Sequence, residues 1–319
     1  MTATADWYAR AAVELAATSE LQVAWALTVA ADPELLALID RLPREHRQPS
    51  LLFSVASWCG APAVADQGWR KWMVAHWPAI EDAARTRRTQ TNEVGRCIPL
   101  LTGLDRITGP IALLELGAAA GLCLALDRYS YRFDESPAFG PGAPLLTATT
   151  TGEGTAPSRM PNVVWRRGVD LAPLGVANPD DVRWLEALLP PDRPERRARL
   201  LAALATVHDD PPLVVDGDAL AALPALAAAA RAEEPEATLV IAALGTLVYL
   251  PPGRRNEVVD AASDLGARLL TFEGAGVLPG VAERLHGLSA PHPTPFVLAL
   301  DGEPIAHAGP HGDRLSWLT

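Results

Sequence analysis

Apolar positions recur at helical spacing along roughly the first hundred residues. Trp7, Ala11, Leu15 and Thr18 form one series, and Leu21, Trp25 and Thr28 form another. Asp32-Pro33-Glu34 has the order of an N-cap, a proline at the first helical position and an acidic first turn. Ser50 to Trp58 is a further apolar run, and Trp69, Trp72, Met73 and Trp77 make an aromatic stripe whose ordinary meaning is helix-packing core. A polar helix is expected from about Ala79 to Leu101, with Glu81 and Arg85 spaced for an i,i+4 pair. Gly103 and Gly109-Pro110 then interrupt the helical pattern.

Beyond Pro110 the period shortens. Ile111 to Leu116 predicts a buried strand, followed by a turn of very small residues and an apolar helix to about Asp127. Further strands are expected at 130–133, 163–165, 167–170, 212–215, 238–244 and 268–272. Between them, 179–189, 194–207, 219–230 and 254–265 have helical character. Residues 134–162 are rich in Gly, Pro and Thr and suggest an insertion loop or irregular hairpin. Asp301-Gly302 between Phe296–Leu300 and Ile305–His307 is a hairpin signal. Alternating strands and helices imply an α/β fold with a mostly parallel sheet and an antiparallel C-terminal hairpin, preceded by a helical N-terminal region. The expected division is 1–106 as a helical substrate or lid region and 107–319 as the sheet domain, with the insertion at about 134–162.

Composition narrows the functional classes. There are 27 Lys plus Arg against 38 Asp plus Glu, a formal charge of −11, so no basic surplus exists for general nucleic-acid binding. A 49% hydrophobic share with 20% charged residues is globular. The opening residues have no basic stretch followed by an apolar one, and Ile111 to Leu126 is too short and too interrupted for a span. Cys59, Cys97 and Cys123 are odd in number and far apart, which fits a reducing cytoplasm better than a disulfide framework. The expectation is therefore a cytoplasmic protein with neither nucleic-acid nor membrane contacts. The pairs His286/His292 and His307/His311 lack nearby cysteines, and no metal is expected. Ser289 and Ser316 lie in no G-x-S-x-G elbow, so a hydrolase triad has no support.

The informative stretch is Glu115-Leu116-Gly117-Ala118-Ala119-Ala120-Gly121-Leu122: an acid ends a buried strand, a turn of tiny residues follows, and a helix begins. Such a turn lets a ligand approach the backbone closely. The dinucleotide fingerprint G-x-G-x-x-G is not met, because Ala119 and Leu122 stand at its second and third glycines. The spacing E-x-G-x-A-x-G instead resembles the first motif of the Rossmann-like, class I S-adenosylmethionine-dependent methyltransferases. Gly168-Val169-Asp170-Leu171 resembles their second strand, Asp216-Gly217-Asp218-Ala219 their third-strand turn, and Thr238 to Tyr249 their fourth strand and the loop after it. The fourth segment lacks the Asn/Asp-Pro-Pro-Tyr signature of the enzymes that methylate bases or glutamine amides. The chain also resembles an uncharacterised bacterial family through Gln90-Thr91-Asn92-Glu93-Val94-Gly95-Arg96-Cys97, Glu115-Leu116-Gly117, Asp127-Arg128-Tyr129 and Arg167-Gly168-Val169-Asp170-Leu171.

The methyltransferase resemblance implies an S-adenosylmethionine-dependent methyltransferase acting on a small-molecule substrate, with Glu115, Gly117, Ala118, Gly121, Asp170, Leu171, Asp218, Ala219 and Leu244 holding S-adenosylmethionine. Asp170 would accept hydrogen bonds from the vicinal ribose hydroxyls, a task suited to an acceptor-only carboxylate. Asp218 or Asp216 would lie near the adenine, although either acid could simply cap the next helix. Asn92, Glu93 and Arg96, expected on the helix before the first strand, are candidates for binding substrate or the methionine carboxylate. Tyr249 and Glu273 follow the fourth and fifth strands and are the catalytic candidates. The alternatives are a non-catalytic cofactor-binding or regulatory protein on the same fold and, further off, an NAD-dependent oxidoreductase.

Overall fold

The computed structural model describes residues 3–90, 92–286 and 296–318. Thr91, Ser289 and His292, which belong to segments singled out above, lie outside the described residues. The chain divides into two compact units, 1–91 with 177–198, and 92–176 with 199–319. Residues 92–106 thus belong with the sheet and 177–198 with the helical unit, a different partition from a cut at 106/107.

The helical unit contains α1 (Ala3–Leu15), α2 (Glu20–Ala31), α3 (Pro33–Ile39), α4 (Pro49–Trp58), α5 (Gln67–Ala75) and α6 (Trp77–Thr86). As the sequence predicts, Asp32 caps α3, its carboxylate accepting from the N–H groups of Glu34 and Leu35. Trp69, Met73 and Trp77 are buried, and Trp69 stacks on Trp25 at 5.0 Å with Phe53 edge-on, so three of the four stripe residues are core, while Trp72 is half-buried and stacks on His76. Glu81 and Arg85 form the expected ion pair at 2.9 Å.

The helix expected from Ala79 to Leu101 does not form as one element. It stops at Thr86, where Arg87 turns extended at φ −92°, ψ 156°. The Arg87 guanidinium lies over the rings of Trp58 (4.1 Å) and Trp184 (4.8 Å) and pairs with Asp180 at 2.5 Å. Tertiary capture of that side chain outweighs the local helical preference of a polar stretch. A 3-10 turn at Val94–Arg96 follows, then α7 (Cys97–Leu104).

The sheet unit carries β1 (Ile111–Leu116), β2 (Ser130–Phe133), β3 (Leu145–Thr151), β4 (Val163–Asp170), β5 (Val214–Asp216), β6 (Thr238–Leu244), β7 (Arg268–Gly274), β8 (Phe296–Leu300), β9 (Glu303–Ala308) and β10 (Arg314–Trp317). The remaining helices are α8 (Pro179–Ala187), α9 (Pro194–Val207), α10 (Ala219–Glu233), α11 (Pro252–Asp264) and α12 (Pro279–Arg284). The strands form one ten-stranded sheet in the order β2-β3-β10-β9-β8-β7-β6-β1-β4-β5. It is mostly parallel, with β7/β8, β8/β9 and β9/β10 antiparallel. Asp301 (φ 54°) and Gly302 (φ 79°) both take the left-handed conformation that the β8–β9 hairpin turn requires.

Residues 134–162 are not a hairpin. Their strand β3 pairs in parallel with β2 and with β10, extending the sheet's edge. The turn after β1 leads into an irregular 3-10 segment, Leu122–Arg128, broken at Ala125, instead of an α-helix. One apolar layer packs Leu114, Leu116, Ile241 and Ala243 against Leu223, Ala227 and Val258 of α10 and α11. From β1 the strand order runs outward to β4 and β5 on one side and to β6 and β7 on the other, so the order reverses between β1 and β6. No single helix among the described residues is long and apolar enough to cross a membrane.

Candidate functional site

Open parallel sheets bind ligands beyond the carboxyl ends of their strands, where the strand order reverses. At that point of this sheet β1 ends in Glu115-Leu116 and passes into the small-residue turn. Gly117 (φ 69°), Ala119 (φ 50°) and Gly121 (φ 72°) all have left-handed backbones. At Gly117 the conformation and the space both demand glycine, since a Cβ would come within 2.5 Å of the Thr246 side chain. The turn is tied to β4 through the N–H groups of Gly117 and Ala118, which donate to the Val169 carbonyl at 2.8 and 3.2 Å.

Two polar side chains hold its far side. Asp170, ending β4, accepts from the Ala119 N–H at 2.8 Å (Oδ2) and the Ala172 N–H at 2.9 Å (Oδ1). Asn92 accepts from the Ala120 N–H at 3.1 Å through Oδ1, which fixes the amide and leaves its buried Nδ2 without an acceptor. Glu115 is 5% exposed, and its Oε2 is buried with no hydrogen-bond partner. Burial pushes its carboxyl well above the usual range; Cys123 and Asp170 add to this and Arg96 opposes it. A cation arriving beside it would oppose that shift, as Arg96 already does in part.

Of Asn92, Glu93 and Arg96, expected together on a helix, Asn92 touches the turn and the other two are engaged by other parts of the protein, and none lies on an α-helical face. Glu93 caps the 3-10 turn, accepting from the Gly95 N–H at 3.1 Å, and meets Arg199 at 3.2 Å and His311 Nδ1 at 3.3 Å. Its buried carboxylate is thereby engaged with protein. Arg96 is buried, donates to the carbonyls of Leu244 and of Pro310 (3.2 Å), and lies over the Phe296 ring. Burial lowers the affinity of its guanidinium for a proton, while Glu93, Glu273 and Tyr249 are near enough to raise it. Leu244, expected to face cofactor, is buried and its carbonyl serves Arg96.

Glu273 ends β7 and is 3% exposed. Its Oε1 accepts the N–H groups of Thr246 and Leu247, both at 2.8 Å, which shapes the loop after β6, while Oε2 is buried without a partner. Burial pushes this carboxyl up to about 7 despite those donors and Arg96. Tyr249 stands 66% exposed in the short turn Leu247–Tyr249.

The third-strand acids are placed differently. Asp218 is the N-cap of α10, accepting from the Ala221 N–H at 3.1 Å, and both its oxygens meet Arg254 at 2.8 Å. Its carboxylate thus has a structural partner set. Asp216 is exposed at the end of β5, Ala219 opens α10, and Leu171 is 63% exposed after β4. Ala118 and Gly121 are buried within the turn. Sequence reasoning did not single out Thr246 or Arg199. Thr246 reaches back from the β6 loop to donate to the Leu116 carbonyl at 2.9 Å, and no local pattern announces that contact.

Among the described residues no group of three or more His, Cys, Asp or Glu is placed to hold a metal ion. Ser316 shares a hydrogen bond of 2.7 Å with Thr151 across β10 and β3. No curated protein and no solved structure matches the chain. Residues 56–317 match the family described as "Uncharacterized protein conserved in bacteria (DUF2332)", and the chain belongs to that family.

Proposed function

We propose that the protein is an S-adenosylmethionine-dependent methyltransferase acting on a small-molecule acceptor. The observation that carries this reading is the buried, partnerless Glu115 Oε2 beside a left-handed small-residue turn at the strand-order reversal. The donor set suits the cofactor's chemistry. Glu115 offers an acceptor to a cationic group, the fixed Nδ2 of Asn92 offers a donor to a carboxylate, and Asp170 stands at the end of the adjacent strand, where a ribose diol would lie. A Cβ at Gly168 would come within 2.4 Å of the Ala118 Cβ, so glycine there lets β4 and the turn close up.

When bound, the cofactor supplies a methyl group activated by a sulfonium, with a neutral thioether as leaving group. The protein's share is to orient the two reactants in line and to exclude water. Glu115 and Asn92 would fix the amino-acid end, Asp170 the ribose, and Glu273 shapes the β6 loop through its two backbone hydrogen bonds. A general base is required only for an acceptor that must lose a proton.

Equilibrium dialysis with labelled S-adenosylmethionine, run beside NAD(H), tests the reading. Saturable binding of S-adenosylmethionine alone is expected. Glu115→Gln should weaken that binding at least tenfold. Binding of NAD(H) in its place, or of neither, overturns the reading.

A further inference from the structure

The helical unit has a cleft of its own, at the packing of α4 against α8. Its volume is about 340 Å³, within the about 300–1,000 Å³ range of small-molecule sites. Its apolar lining is Ala61, Ala63, Ala187, Leu189, Pro190 and Pro191. Trp58, Arg183, Glu186 and Arg197 line it as well.

The charges there do not cancel. Arg197 is matched by Glu186 at 2.6 Å, and Arg87, which does not line the cleft, is matched by Asp180. Arg183 has no carboxylate partner among the described residues. It is nevertheless held in place, donating to the Trp58 carbonyl at 2.8 Å and lying 4.7 Å from the centre of the Trp58 ring. Ordering a long cation before a ligand arrives removes part of the entropy cost of binding. A pinned guanidinium without a carboxylate partner, in a cleft lined also by alanine, leucine and proline, selects for one anionic head on an apolar body.

We propose that this cleft binds a small monocarboxylate with an apolar body, independently of any cofactor at the sheet. The test is calorimetric titration of the full chain with phenylacetate, with hexanoate, and with the neutral isostere phenylacetamide. The proposal expects saturable binding of at least one acid at one site per chain, and at least tenfold weaker binding of the amide. Arg183→Leu should lose the acid at least tenfold, and Arg183→Lys should retain part of the affinity. Unchanged circular dichroism and melting of both variants separate lost recognition from lost folding. If neither acid saturates, if acid and amide bind alike, or if Arg183→Leu binds as well as the parent, the proposal fails. Tenfold tighter capture of a dipeptide such as acetyl-leucyl-leucine would assign the cleft to a peptide C-terminus and equally overturn it.

Discussion

Two strand ends of one sheet carry acids in similar local contexts and put them to different use. At the end of β4, Asp170 spends its hydrogen bonds on the glycine turn after β1 and on its own loop, beside a Glu115 oxygen that has no partner. At the end of β5, Asp218 is occupied by the first turn of α10 and by Arg254. An acid after a strand is therefore only half a site. What distinguishes the two is whether the neighbourhood leaves polar atoms over, and around β1 it does: Glu115 Oε2, Asn92 Nδ2 and Glu273 Oε2 are all buried and unmatched.

The largest effect separating the two ends should come from their glycines. Gly117→Ala forces a Cβ against Thr246 at φ 69°, whereas Gly217, at φ 152°, has nothing within 4 Å of that position. Urea unfolding should show a loss of about 2–5 kcal/mol for Gly117→Ala, against about 1–2 kcal/mol for Gly217→Ala. Equal losses would erase the distinction in packing.

Next is the pH dependence that Glu273 imposes on the β6–β7 end. Its carboxyl titrates at about 7 when folded, against 4.5 as the ordinary value. The fold holds that proton more tightly, so the contribution is full below about pH 4.5 and is lost as pH rises through 7, about 3 kcal/mol in all. Unfolding free energies across that window should be flatter by that amount in Glu273→Gln; a slope identical to the parent's would show that the carboxyl is not desolvated.

The smallest expected effect lies at α10. Asp218→Ala removes a cap and a partly exposed ion pair, for about 1 kcal/mol of stability, and should leave ligand affinity alone. A tenfold loss of S-adenosylmethionine binding in that variant would return Asp218 to the site.

Much of the fold was legible because its signals are local. The buried runs at 111–116 and 238–244, the Asp32-Pro33 cap and the Asp301-Gly302 turn each declare themselves within a few residues. The break after Thr86 was not, since it depends on tryptophans at 58 and 184, far away in sequence. Nor was β3, whose alternating Leu146 and Ala148 become a strand by pairing with β10 near the chain's end. The site divides along the same line. Resemblance to methyltransferase motifs points to Glu115, Gly117 and Asp170, whereas Asn92, expected on a helix, reaches the turn from a non-helical segment. The state of each carboxylate, matched or unmatched, is a tertiary fact.

The central claim is that the β1–β4 end, and not the β5 end, holds the cofactor. Isothermal titration of S-adenosylhomocysteine into the parent, Asp170→Asn and Asp218→Asn tests it most directly. One site per chain is predicted, weakened at least tenfold by Asp170→Asn and unchanged by Asp218→Asn. No heat of binding with the parent, or affinity indifferent to Asp170, would contradict it.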